Sequence, residues 1–266
     1  LDATEKSYDC LPYYNYTFFQ DIDHVVQNNP IRTQDKAMVS LLKDLGIVKG
    51  KPFKPTEQQR KAMHEGLLLA YASMQKYFVT PGKSMDPLWK DASGKPKTQW
   101  MFWLFAPGQP EAGFTHETKT EVLVDDRAAK YFYVTYLPRY LGGGTFYLTG
   151  LFDSNGDMYD GKSTYKLNVP KDTPAKDFWS VIVYSMETKN FIRDASRVGL
   201  SSRNADTMQV NDDGSYDVYF SPEAPKGKES NWIPTGEDFF LLFRLYGPDG
   251  KDWFKTWMLG DLEKVK

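Results

Sequence analysis

The sequence predicts a small α-helical part followed by an antiparallel β-sandwich of jelly-roll type. Two observations carry that expectation. The hydrophobic period changes from helical to two-residue spacing near residue 98, and the stretches beyond it are separated by turn residues rather than by regular helices. Composition supplies a third. Aromatic residues make up 15% of the chain, with 17 Tyr, 17 Phe and 7 Trp, which suits a ring-filled sandwich core or an aromatic-lined groove. The boundaries that follow are 1–82 for the helical part and 83–266 for the sandwich.

The helical part reads as three amphipathic segments. Phe18, Ile22, Val25 and Val26 recur at helical spacing until Asn29-Pro30 stops them. Thr33 stands as an N-cap for a second segment that aligns Met38, Leu41, Leu42 and Leu45 on one face. Gly46 ends it, glycine being suited to the left-handed conformation there. A third segment opens with the capping box Thr56 to Gln59, places Met63, Leu67, Ala70, Tyr71, Met74 and Phe78 on one stripe, and ends at Pro81-Gly82.

Strands are expected at residues 99–105, 120–124, 145–152, 163–169, 178–185, 215–220 and 238–246. Tyr165, Leu167 and Val169 alternate with Thr164, Lys166 and Asn168, as in a strand with one face buried. Asn155-Gly156 and Asp213-Gly214 are hairpin turn signals. Residues 125–136 fit a helix capped by paired Asp residues and carrying Ala128, Tyr131 and Phe132.

Charge and hydropathy narrow the function classes. The net charge is −2 with both signs interspersed, so no basic stripe offers itself to a phosphate backbone and nucleic acid is not an expected partner. No apolar run approaches the roughly 20 residues that span a bilayer. Cys10 is the single cysteine, which excludes an internal disulfide and leaves the compartment open.

Recognisable catalytic and metal patterns are missing, and no cofactor is expected. His64-Glu65 begins like a helical zinc motif but lacks the second histidine four residues on. The other two histidines, His24 and His116, are far away in sequence. Asp153, Asn155 and Asp157 alternate as in a calcium loop, yet Met158 and Thr164 occupy the places that need Gly and an acid, so a hairpin turn is the better reading. Gly142-Gly143-Gly144 lacks the Lys-Ser/Thr that follows in a phosphate loop.

Arg244 is the most informative polar residue, because it interrupts the apolar run FFLLFRLY at what would be the centre of a sheet. A guanidinium there requires acceptors, whether from the protein or from a polar or anionic ligand. Trp179 and Tyr184 share a strand at odd separation and so face opposite sides. With Arg193, Asn231, Trp232, Arg244 and Tyr246 they form the candidate ligand-binding set. Asp177, Asp217 and Glu223 are the candidate carboxylates for a hydrolase on the sandwich face.

The stretch FDSNGDMYDGKSTYKLNVPKDTPAKDFWSVIVYS, then NDDGSYDVYFSPEAPKGKESNWIPTGEDFFLLFRLYGP and KTWMLGDLEKV, resembles the C-terminal half of a bacterial family that pairs domains of unknown function 1254 and 1214. The earlier NNPIRTQDKAMVSLLKDLGIVKGKPFKPT resembles the helical segment between those halves, so the similarity runs from about residue 20 to about residue 260. It implies a jelly-roll-like C-terminal domain and a periplasmic or secreted setting. Only about 30 residues precede the helical segment here, where the family places its N-terminal β-domain, so a fragment or a form lacking that domain is expected. The resemblance supplies no reaction. The expected function is a non-catalytic module binding a small molecule or glycan. A hydrolase and a subunit of a homo-oligomer are the alternatives, and the missing N-terminal domain is a further expected partner.

Overall fold

The computed structural model describes residues 14–80, 85–103, 116–125, 127–128, 144–250 and 252–265. The chain divides into two compact units, Leu1–Phe78 and Val79–Lys266. Expectations for Cys10, Pro81-Gly82, Gly142-Gly143, residues 104–105 and most of 125–136 fall outside the described residues.

In the helical unit, α1 (Phe18–Asn28) ends where Asn29 turns extended and its amide bonds the Val25 carbonyl. The second segment is less regular than its spacing predicts. A 3-10 turn (Thr33–Asp35), the short helix α2 (Lys36–Leu41) and another 3-10 turn (Leu42–Leu45) replace one continuous helix, and Arg32 rather than Thr33 is the N-cap. Gly46 closes it at φ 85°, its amide reaching the Leu42 and Lys43 carbonyls. The predicted apolar face is not buried: Met38 and Leu41 are exposed, and Ile47 is the buried side chain beyond the segment. The capping box of α3 (Glu57–Val79) forms as read, with Thr56 N–H donating to Gln59 Oε1 at 2.8 Å and Gln59 N–H to Thr56 Oγ1 at 3.2 Å. Met63, Leu67 and Phe78 are buried, and Ala70 is exposed.

The second unit is a sandwich of two sheets. Its strands are β1 (Met85–Pro87), β2 (Met101–Trp103), β3 (Thr145–Gly150), β4 (Thr164–Val169), β5 (Ala175–Ser185), β6 (Gly199–Ser201), β7 (Tyr216–Ser221), β8 (Trp232–Pro234), β9 (Phe239–Pro248) and β10 (Glu263–Val265). One sheet has the order β1-β2-β3-β9-β5-β6 and the other β10-β4-β7-β8. All pairs are antiparallel except β7 and β8, which run parallel. No strand forms at 120–124. There the Thr118 hydroxyl accepts the amides of Thr120 and Glu121, a local turn that leaves only an isolated bridge between Glu117 and Val122.

Alternation fills the space between the sheets. From β9 come Phe239, Leu241, Phe243 and Leu245; from β5 Trp179, Val181 and Val183; from the facing sheet Tyr165, Leu167, Val169, Val218, Phe220 and Ile233. Trp179 stacks on Phe243 at 5.7 Å, and Phe239 meets Tyr165 at 5.9 Å across the core. The chain's last turns seal this core. Trp253, Trp257, Leu259 and Leu262 join it, and the indole N–H groups of Trp89 and Trp100 donate to the carbonyls of Phe254 and Gly260 at 2.8 Å each.

Gly161 shows how tightly one loop is set. A Cβ there would lie 2.2–2.4 Å from backbone atoms of Glu237, in a contact fixed by the Gly236 amide bonding the Gly161 carbonyl. Gly161→Ala is expected to cost about 1–3 kcal/mol by overpacking, read as a shifted midpoint in urea unfolding with unchanged slope.

Candidate functional site

The outer face of the six-stranded sheet carries an unusual polar cluster. On β9 the side chains opposite the core row are Phe240, Leu242, Arg244 and Tyr246. Register places Tyr147 of β3 on one side of Arg244 and Ser180 of β5 on the other, with Ser201 of β6 beyond it. Arg244 is thus the centre of a row crossing four strands.

The guanidinium is enclosed by phenols. Its Nη2 donates to the Tyr184 hydroxyl and its Nη1 to the Tyr246 hydroxyl at 3.4 Å. Its Cζ lies 5.2 Å from the Tyr147 ring centre and 5.9 Å from that of Tyr184, in cation–π range. Burial pushes the Tyr184 phenol up and the Arg244 charge pulls it the other way, for a net rise, so its hydroxyl stays protonated at neutral pH. Among the described residues no carboxylate pairs with Arg244.

Three buried polar atoms on this face lack a hydrogen bond: Arg244 Nε, Ser180 Oγ and Thr149 Oγ1. Ser180 is the direct register partner of Arg244, and Thr149 pairs with Leu242 two positions along. Ring pairs flank the cluster. Phe178 and Tyr246 stack at 4.0 Å and 15°, with the Arg203 guanidinium 3.8 Å from the Phe178 ring. Tyr184 and Phe240 stack at 5.2 Å on the other side. Lys189 lies 6.0 Å from the Phe240 ring, where burial pulls its ammonium down to about 7.

Of the seven candidate ligand-binding residues, Tyr184, Arg244 and Tyr246 come together here. Trp179 lies on the opposite face, in the core. Asn231 is 2% exposed and fully used: its Oδ1 accepts from the Gln209 amide and the Ser230 hydroxyl, and its Nδ2 donates to the carbonyls of Gln209 and Asp217. Trp232 donates its indole N–H to the Ser221 carbonyl at 3.0 Å, tying β8 to β7. Arg193 is exposed, in the loop after β5. Tyr147, Thr149, Phe178 and Ser180 escaped the sequence reading, because only pairing across strands brings them to this face, and Arg203 reaches the Phe178 ring from the 3-10 turn Ser202–Asn204.

The candidate carboxylates do not assemble. Asp177 is exposed on β5, Asp217 sits on β7 of the other sheet beside Asn168 Nδ2 at 2.8 Å, and Glu223 is exposed in a loop. At residues 153–157 the Asp153 Oδ1 accepts the amides of Asn155 and Asp157, and Gly156 takes φ 85°, so the segment is a turn. Among the described residues no group of three His, Cys, Asp or Glu side chains is placed to hold a metal.

One pair of acids does interact, the buried Asp153 with the half-buried Asp261. The Ser154 amide bonds the Leu262 carbonyl at 2.9 Å, setting Asp153 near Asp261. Asp153 is wholly buried and its Oδ2 has no hydrogen bond. Burial, reinforced by the Asp153 charge, pushes the Asp261 carboxyl up to about 6, against the Gln99 amide that donates to it at 2.7 Å. Closure of Asp153 from solvent denies a substrate access, so the pair acts on stability.

Residues 144–250 match the profile of a family described as "Protein of unknown function (DUF1214)". No curated protein matches the chain. Similar solved structures include the VPA0106 protein from Vibrio parahaemolyticus, at 18% identity over 99% of this chain and 58% of that one, with a TM-score of 0.43. Another is an uncharacterised protein from Burkholderia cenocepacia, at 18% identity over 47% of this chain and 31% of that one, with a TM-score of 0.34. The chain therefore spans a little over half the length of the first and about a third of the second.

Two outcomes follow from these side chains. Asn231→Ala strands two carbonyls and an amide, and is expected to cost about 3 kcal/mol in denaturant unfolding. The folded Asp261 carboxyl titrates above its unfolded value, so its contribution is full below about pH 4 and is lost as pH rises through about 6. Partial exposure reduces that contribution to about 1–2 kcal/mol. Subtracting the Asp261→Asn stability profile from that of the unaltered protein should reveal a decline between pH 4 and 7.

Proposed function

We propose that this protein is a non-catalytic binding module that holds a small polar molecule on the outer face of its six-stranded sheet. The observation that carries the reading is the half-buried Arg244 guanidinium, bonded to the phenols of Tyr184 and Tyr246 and, among the described residues, to no carboxylate. A polar or anionic ligand would supply the acceptor that the phenols do not. Chemistry on the ligand finds no support there, since the carboxylates considered for a hydrolase lie on different sheets or loops.

The proposed setting is periplasmic or secreted, with an additional domain preceding the helices. Both rest on the resemblance to the paired-domain family, whose 1214 part agrees with the match over residues 144–250. Among the described residues no helix is long and apolar enough to cross a membrane.

Substitution of the guanidinium tests the reading. Arg244→Met should weaken retention of polar and anionic molecules at least about tenfold in a thermal-shift screen, while Arg244→Lys, which keeps the charge, should preserve part of it. Equal retention by the unaltered and the Arg244→Met proteins would sink the binding reading.

A further inference from the structure

We propose that the outer face of the four-stranded sheet is a platform for a neutral glycan, whose sugar rings lie on Tyr219 and Trp232 and whose hydroxyls bond the polar side chains around them. Alternation sets the face. Tyr165, Leu167, Val218, Phe220 and Ile233 turn into the core, so Lys166, Asn168, Asp217, Tyr219 and Trp232 point the other way. Register then aligns Glu263 of β10, Lys166 of β4, Tyr219 of β7 and Trp232 of β8 in one row across all four strands. Lys166, Tyr219 and Trp232 are each only partly buried, and Asn168 and Glu263 are exposed. This platform belongs to the sheet opposite the one that carries Arg244.

The two rings lack a ring partner. Outward rings on the six-stranded sheet pair off, as Phe178 does with Tyr246 and Tyr184 with Phe240. Among the described residues no ring stacks on Tyr219 or Trp232, and the Lys228 ammonium stands 6.0 Å from the Tyr219 ring centre. The Trp232 indole N–H holds the Ser221 carbonyl at 3.0 Å, which fixes that ring beside β7 without using its faces. A pyranose suits such rings, because one of its sides is a flat array of C–H groups with slight positive charge, matched to the negative face of an aromatic ring. Neighbouring strands lie about 4.8 Å apart, so successive sugars of a chain running across the sheet meet the two rings in turn.

Charge selects a neutral occupant. Lys166 pairs with Glu263 at 3.6 Å, Lys228 lies beside Tyr219, and Asp217 accepts from Asn168 at 2.8 Å. Two cations balance two anions around the rings, so neither a polyanion nor a polycation is drawn there. The same groups suit sugar hydroxyls, each of which both donates and accepts: the two acids accept from them and the two ammonium groups donate. A protein partner favours an apolar centre depleted of charge, which four ionised side chains deny it.

Native affinity electrophoresis of the full chain tests the platform, in gels containing hydroxyethyl cellulose, soluble starch or glycol chitin, with polygalacturonate as the anionic control. At least one neutral polymer should retard the protein, and polygalacturonate should not. Tyr219→Ala should weaken that retardation at least about tenfold in polymer concentration, and Tyr219→Phe, which keeps the ring, should retain most of it. Far-ultraviolet circular dichroism identifies a Tyr219→Ala protein that has failed to fold, in which case Tyr219→Leu, which keeps apolar bulk without a flat ring, decides.

Retardation by none of the three neutral polymers would overturn the glycan. Polygalacturonate acting as strongly as they do would overturn the neutral charge. Retardation unchanged in Tyr219→Ala would overturn the location, and its loss in Arg244→Met alone would move the glycan to the six-stranded sheet, leaving the binding reading above in place. A dimer that Tyr219→Ala dissociates in analytical ultracentrifugation would assign this face to a second copy of the chain and overturn the platform.

Discussion

The register of β9 between β3 and β5 is the constraint on which the sandwich and its outer face both depend. Phe239, Leu241, Phe243 and Leu245 enter the core only if Phe240, Leu242, Arg244 and Tyr246 point away from it. A slip of one residue would drive the guanidinium between the sheets and put four large apolar side chains outside. The nine-position ladder with β5 and the six-position ladder with β3 hold against that slip. The apolar core thus fixes where the polar cluster stands.

The two faces of this sheet solve opposite problems. Inside, rings pack against rings, as where Trp179 and Phe243 stack and Trp100 meets Phe243 edge-on at 6.1 Å, and dispersion and burial suffice. Outside, a charge has been placed at the centre of a sheet with phenols rather than carboxylates around it. A structural ion pair would have closed the electrostatics within the chain. Phenols satisfy the geometry and leave the charge uncompensated, which is a reason to look for function there rather than stability.

Much of this was legible beforehand for a simple reason: local patterns have local causes. The capping box Thr56–Gln59, the left-handed Gly46, the Asp153–Asp157 turn and the central strands each rest on neighbours within a few residues. The unforeseen strands β1, β6, β8 and β10 are all three residues long, and all lie at sheet edges. A strand that short has no alternation to read, and two of the four end in proline, which an edge tolerates. Three of them, β6, β8 and β10, line the edge of a longer partner.

By itself the amino-acid order determined the helical part, the strand-rich remainder and the anomaly of an arginine inside FFLLFRLY. Which side of Arg244 meets which phenol was decided by the tertiary structure. Tyr147, Tyr184 and Tyr246 arrive from three strands, and the same pairing brings up Ser180 and Thr149. Asn231 illustrates the converse, a member of the candidate ligand set whose bonds the fold spends on Gln209, Asp217 and Ser230. The physical reason is range: alternation and capping act between near neighbours along the chain, whereas a side chain's partners across a sheet are chosen by a register common to all its strands.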